Sequence, residues 1–236
     1  MSLKTFSEPQ KSGLLLIDKP ADFSSHDIIA IVRRVLKTKK IGHSGTLDPM
    51  ATGLLILLIG REATKLQDRF LKLDKTYSAT LKLGQETASW DAYSEVIREE
   101  NVPALTQTDV EQAARALSGK IVQPIPFYSA KRVNGERMYK LARKGQEVAR
   151  KFNEVTVSWT KVCLKSPDEI SFTLNGSCGT YVRALGVLLA QKVGTVGHLT
   201  QLRRERIGRF SVTNAFDGNL LKTCESDTLY ERIQPL

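Results

Sequence analysis

Hydrophobic positions change their spacing several times along the chain, and each change marks an element. Gly13 to Ile17 is a short apolar run closed by Asp18-Lys19-Pro20 and reads as a buried strand. After Ser24 and Ser25, both candidate N-caps, Ile28, Ile29, Val32, Val35 and Leu36 fall on one helical stripe. Lys37, Lys39 and Lys40 follow, which suits the negative end of a helix dipole. A glycine-rich loop, Gly42 to Gly53, leads into the fully apolar run Leu54 to Ile59. Residues 61–72 carry Ala63, Leu66 and Phe70 on one side, as a short helix would. Thr76 to Leu83 alternates strictly, with Tyr77, Ala79, Leu81 and Leu83 on one face, and predicts a half-buried strand. Thr108 with Glu111 spells a capping box ahead of Val110, Ala113, Ala114 and Leu117, and Gly119 closes that helix. Val155, Val157 and Trp159, then Ile170, Phe172 and Leu174, alternate in two further strands. Gly179-Thr180 opens a helix through Leu185, Leu188 and Leu189, and Leu199 to Phe210 forms a last strand. Strands and helices mix without βαβ regularity. The expected class is α+β, a mainly antiparallel mixed sheet flanked by helices.

The chain has 236 residues, one large domain or a domain with a small appendage at ~150 residues per domain. That is enough to bury a core without disulfides or metal staples. The longest apolar run, Leu54 to Ile59, falls far short of the ~20 residues of a membrane-crossing helix. Glu8, Pro9 and Gln10 interrupt any secretory signal, so a cytoplasmic location is expected. Cys163, Cys178 and Cys224 form no CxxC and read as idle thiols; His26, His43 and His198 have no metal-ligand spacing. The formal charge of +10 points to a polyanion such as nucleic acid or an anionic membrane surface, or else only to solubility. Basic residues cluster. Eight (Lys131, Arg132, Arg137, Lys140, Arg143, Lys144, Arg150, Lys151) face only Glu136 and Glu147 within residues 131–151. Arg33, Arg34, Lys37, Lys39 and Lys40 make a second group, and Arg203, Arg204, Arg206 and Arg209 a third.

The densest chemical signal is Gly42-His43-Ser44-Gly45-Thr46-Leu47-Asp48-Pro49-Met50-Ala51-Thr52-Gly53. Its glycines permit tight turns, and Pro49 biases Asp48 toward an extended conformation. A carboxylate is thus presented on a stiff loop beside a hydrophobic strand. Such an Asp serves as nucleophile or general base, or merely hydrogen-bonds its own turn. The loop lacks the GxxxxGK[ST] pattern of a phosphate-binding loop.

Gly42 to Leu55 closely resembles the catalytic motif of the TruB family of tRNA pseudouridine synthases. Leu16-Ile17-Asp18-Lys19-Pro20, Gly60 to Leu66, Asp74-Lys75-Thr76-Tyr77, Gly179-Thr180-Tyr181-Val182-Arg183 and Leu202-Arg203-Arg204 resemble further family motifs in the same order. Pro126-Phe127-Tyr128-Ser129-Ala130 through Tyr139 to Gly145 resembles the family's RNA-gripping insertion. The similarity covers about residues 13 to 210. It implies the pseudouridine synthase fold and isomerisation of uridine 55 in the T-loop of tRNA. The uracil leaves ribose through N1 and returns through C5, a redox-neutral and mass-neutral reaction that needs no cofactor. It also implies roles. Asp48 is the catalytic carboxylate, attacking covalently or removing a ribose proton. Arg183 is the guanidinium that favours its charged form. Tyr77 stacks on the extracted base. Tyr181 lines the pocket, and Leu202 meets the uracil edge through its backbone. His43 fills the space vacated by base flipping. Lys19 and Lys65 are phosphate or pocket-wall contacts.

The expected organisation is a catalytic domain over 1–213, with the basic insertion at about 120–152, and a short C-terminal tail over 214–236 without room for a PUA domain. RNA binding should then rest on the catalytic domain and its insertion. The expected partner is the tRNA T-arm, with no protein partner and a monomeric enzyme. Ser44 stands where the family more often has Thr, Pro124-Ile125-Pro126 replaces a simpler Pro-Pro pair, and Lys131 replaces an apolar residue. Two other functions fit parts of the pattern: an RNA chaperone for which Asp48 is dispensable, and a hydrolase, which would ordinarily need a second carboxylate or a metal cluster.

Overall fold

The computed structural model describes residues 11–129, 131–133, 136–138 and 149–236. In chain order the elements are β1 (Gly13–Lys19), α1 (Ser25–Val35), β2 (Ile41–His43), β3 (Thr52–Ile59), α2 (Gly60–Lys65), α3 (Gln67–Lys72), β4 (Lys75–Leu83), β5 (Gln85–Thr87), β6 (Val96–Glu99), α4 (Gln107–Ala116), β7 (Gly119–Pro124), β8 (Arg132–Val133), β9 (Glu136–Arg137), β10 (Phe152–Ser166), β11 (Glu169–Gly176), α5 (Val182–Lys192), β12 (Gly197–Ile207), β13 (Phe210–Ser211), β14 (Phe216–Asp217) and α6 (Ser226–Glu231). Ten of the strands hydrogen-bond into a mixed sheet, in keeping with the α+β expectation. Contacts divide the chain into two compact units: Met1–Lys75 with Arg203–Leu236, and Thr76–Leu202.

In the first unit the strand order is β14-β1-β3-β12, with β2 on β3 and β13 on β12. β1 and β2 run antiparallel to β3, and the β3–β12 and β1–β14 pairs are parallel. Alternate residues of β1 and β3 enter two different cores. Leu15, Ile17, Leu55, Leu57 and Ile59 pack with Ile28, Ile29 and Val32 of α1. Leu14, Leu16, Leu54, Ile56 and Leu58 pack with Ala63, Phe70 and Ile207. Burial on both faces explains why these strands read as unbroken apolar runs instead of alternating. The residues after 213, expected as a tail, belong to this unit's core: Phe216 pairs with Ile17, and Leu221, Leu229 and Ile233 are buried against α1. The helix expected over 61–72 breaks at Leu66, whose N–H bonds to the Ala63 carbonyl three residues back and closes α2.

The second unit has the order β12-β4-β11-β10-β7. β4 buries Lys75, Tyr77, Ala79, Leu81 and Leu83 on one face, the alternation its sequence predicts. α4 begins earlier than expected. Its capping box is Thr106 with Asp109, not Thr108 with Glu111: the shorter carboxylate reaches the Thr106 N–H at 2.8 Å. The helix ends at a Leu117 cap, and Gly119, with φ of +83°, opens β7 instead of closing α4. β7 and β10 frame the basic segment; Phe152 pairs with Pro124, and the Ile125 N–H donates to the Lys151 carbonyl at 2.8 Å. β8 and β9 pair within it. Ala130, Tyr139, Lys140, Arg143, Lys144, Gly145 and Glu147 lie outside the described residues, as do residues 1–10. Among the described residues no helix is long and apolar enough to cross a membrane.

Candidate active site

The residues singled out in the sequence divide between the two units. In the first unit, Asp48 lies half-buried on the loop between β2 and β3. Its two chain neighbours are both anchored. The Ser25 hydroxyl, fully buried at the start of α1, accepts from the Leu47 N–H at 2.8 Å and donates to the Leu47 carbonyl at 3.2 Å. The Pro49 carbonyl accepts from the Asp22 N–H at 3.0 Å and from Lys19 Nζ at 3.2 Å. Leu47, Met50 and Ala51 are buried, so apolar contacts pin the loop around the carboxylate.

Lys19 is fully buried at the end of β1. Its ammonium also donates to the carbonyls of Pro20, at 2.9 Å, and Phe23, at 2.6 Å. Burial lowers its pKa to about 8; the Asp48 charge opposes that shift and the Arg204 charge adds to it. Arg204 is also buried, at 1% exposure. It donates to the Leu54 carbonyl at 2.7 Å and to the Gly45 carbonyl, in the Asp48 loop, at 3.1 Å. Gly53 faces the Arg204 backbone across the β3–β12 pairing: a Cβ there would lie 2.3 Å from the Arg204 oxygen, and φ is +101°. Only glycine lets the two strands approach at this point. Arg204 and Ser25 were not singled out in the sequence for this role. Charge counting places Arg204 in the third basic group, and capping logic offers Ser25 as a helix cap. Ser24 is the cap, accepting from the Asp27 N–H.

His43 ends β2. Its Nδ1 accepts from the Gly45 N–H at 3.2 Å, and its ring meets His26 edge-on at 6.0 Å between centroids. Lys65 is exposed on α2 and pairs with Glu62 at 2.8 Å. Arg203, of the same basic group, makes a two-pronged pair with Asp18 at 2.7 and 3.0 Å.

In the second unit, Tyr77 is buried on β4 and Leu202 on β12. Tyr181 is half-buried at the start of α5. It packs against the cluster of Trp90 and Ala184 and against that of Ile125 and Met138. Arg183, two residues on, is 3% exposed. Its guanidinium pairs with Asp91 at 3.3 Å and donates to the carbonyls of Ser89, at 2.5 Å, and Tyr128, at 2.8 Å. The buried charge is thereby both paired and hydrogen-bonded. Asp91 had no sequence signal, because it sits in a short loop far along the chain from Arg183. Among the described residues no cluster of His, Cys, Asp and Glu could hold a metal ion.

Residues 33–182 match the family model for the N-terminal domain of TruB family pseudouridylate synthases. The chain is 39% identical to a tRNA pseudouridine synthase B from Opitutus terrae, over 97% of this chain and 95% of the relative. It is 41% identical to the protein of the same name from Chlamydia pneumoniae, over 89% of each. In fold it is similar to a chain of a Cbf5-Nop10-Gar1 complex, with a TM-score of 0.69 at 24% identity, covering 94% of this chain and 60% of that one. Identity of this extent over nearly the whole chain, with the motif residues set in a pseudouridine synthase fold, establishes that the chain belongs to the TruB family of pseudouridylate synthases.

Proposed function

We propose that this chain isomerises uridine to pseudouridine at position 55 of the tRNA T-loop, acting as a cytoplasmic monomer, with Asp48 as its catalytic carboxylate. Family membership supports the reaction. The observation that carries the assignment of Asp48 is the double anchoring of Leu47 by Ser25 and of Pro49 by Lys19, which holds one carboxylate on an otherwise small-residue loop. Immobilising a reactive group removes an entropic part of the barrier.

The N1–C1′ bond breaks, the uracil turns, C5 bonds to C1′, and the C5 proton is released while N1 gains one. Asp48 either adds covalently or removes a ribose proton; both need the ionised carboxylate. The Asp48 charge in turn raises the pKa of the buried Lys19 ammonium against the larger lowering by burial. In this reading Tyr77 stacks on the flipped base, Tyr181 and the Leu202 backbone border it, and Arg183 supplies a fixed positive charge. His43 occupies the space the base leaves, and Lys65 contacts phosphate. Lys19 acts from within as the anchor of the loop.

The test is tritium release from T-arm RNA carrying 5-tritiated uridine. The parent should release label, and Asp48→Asn should bind the RNA and release none. Tight binding without release by the parent would favour the chaperone reading; equal release by both would remove Asp48 from the chemistry.

A further inference from the structure

Tyr181 and Arg183 project from the first turn of α5, yet that helix start is not capped by its own side chain. Tyr181 occupies the N-cap position and makes no side-chain cap bond. The preceding Gly179 has φ of +87°. The turn is closed locally by the Thr180 N–H and hydroxyl, which donate to the Ser177 carbonyl at 3.2 and 2.8 Å, but the Tyr181 N–H takes a partner from elsewhere. That partner is Gln123, on β7.

Gln123 is fully buried. Its Nε2 donates to the Gly179 carbonyl at 2.8 Å and to Asn153 Oδ1 at 3.2 Å. Its Oε1 accepts from the Tyr181 N–H at 3.2 Å. Asn153 Nδ2 donates to the same Gly179 carbonyl at 3.2 Å. One carboxamide therefore satisfies a carbonyl and an N–H two residues apart, which an ionised carboxylate or an apolar side chain cannot do. Beyond the strand carrying Gln123 the chain continues to Ile125, which packs against Tyr181, and to Tyr128, whose carbonyl accepts from Arg183. The entry to the basic segment thus touches the Tyr181–Arg183 turn at three points.

We propose that Gln123 is a positioning residue: its buried carboxamide sets the backbone from which Tyr181 and Arg183 act, and ties that backbone to the strand leading into the basic segment. This rests on the functional reading above for what Tyr181 and Arg183 do. The RNA-gripping segment and the catalytic turn would then share one buried link, so that a loss at Gln123 is felt in the chemical step more than in RNA affinity.

The experiment compares the parent with Gln123→Leu and Asn153→Ala in two measurements. Hydrogen exchange at the Tyr181 amide reports the link itself, independently of activity. Exchange should accelerate by at least about tenfold in Gln123→Leu, as a lost buried hydrogen bond implies. Single-turnover tritium release, with enzyme in saturating excess over T-arm RNA, reports the consequence. The rate constant should fall by about 10–100-fold in Gln123→Leu, the scale of a small misplacement of catalytic groups, and by less in Asn153→Ala. The RNA dissociation constant should stay within about threefold, because phosphate contacts dominate affinity. Partial unfolding would raise the enzyme concentration needed for saturation and leave the saturated rate constant unchanged, so the two are separable. An unchanged rate constant, or unchanged Tyr181 exchange, overturns the proposal; so does a loss confined to affinity. If the parent itself released no label, the functional reading would fail, and the exchange measurement would still decide whether Gln123 holds the turn.

Discussion

Lys19 keeps an ammonium where a neutral side chain would avoid the desolvation cost. It has no solvent exposure, and burial holds its pKa at about 8, well below the usual 10.5. The sign follows from the proton balance. Between pH 8 and 10.5 the unfolded chain binds more protons at this site than the folded one, so the Lys19 contribution to stability rises with pH across that window. Below pH 8 the full cost is carried. Urea unfolding of the parent and of Lys19→Met at pH 7.5 and 9.5 should show the parent gaining roughly 1–2 kcal/mol relative to the variant at the higher pH, at about 1.4 kcal/mol per pKa unit realised. A flat difference would mean that the lysine is not depressed. The motif around Lys19 was legible in the sequence, but its burial was not, because its partners are backbone carbonyls, which every residue carries. Arg204 was misplaced for a related reason. In β12 it shares the inward face with Leu202 while Arg203 and Glu205 face the other way, and a count of charges ignores that alternation. Asp91 escaped notice because a lone carboxylate gains meaning only when Arg183 is folded against it.

Elements were legible in proportion to the apolar surface they bury. β4 and α1 carry unambiguous periods of two and 3.6 residues and form where those periods predict. β5 and β6 were missed: all four residues of β6 are exposed, so no hydrophobic alternation marks it. The start of α4 tests a finer point. Two overlapping box patterns, Thr106 with Asp109 and Thr108 with Glu111, lie ahead of the same apolar stripe, and the fold uses the first. Thr106 Oγ1 accepts from the Asp109 N–H, while Thr108 lies inside the helix. Thr106→Ala should therefore cost about 1 kcal/mol, the usual cost of losing an N-cap, whereas Thr108→Ala should be neutral or slightly stabilising because alanine is the better helix former. Denaturant unfolding of the two variants side by side checks this. A larger loss at Thr108 would place the cap two residues later.

At the scale of the whole molecule, the net charge of +10 conceals two populations of basic residues. Lys19, Lys75, Arg183 and Arg204 are buried. Lys19 and Arg204 brace the Asp48 loop through its carbonyls, and Arg183 braces the second unit through Ser89, Tyr128 and Asp91. Such internal cations cannot release counterions from RNA, so they contribute nothing to the salt dependence of binding. Arg34 and Lys37 belong to the other population: they are exposed near the C-terminal end of α1. A phosphate contact by a surface cation displaces a condensed counterion, and each one adds about 0.7–0.9 to the slope of log affinity against log salt. The double variant Arg34→Gln/Lys37→Gln should therefore bind T-arm RNA more weakly at low salt. Its slope should be shallower by about one to two, and its affinity should converge on the parent's as salt rises. A weakening without a change of slope would mean that the pair supports a loop and not a phosphate. An unchanged curve would leave α1's cations as solubility charges and shift the RNA footprint to the basic segment between β7 and β10, where charge is densest in the sequence.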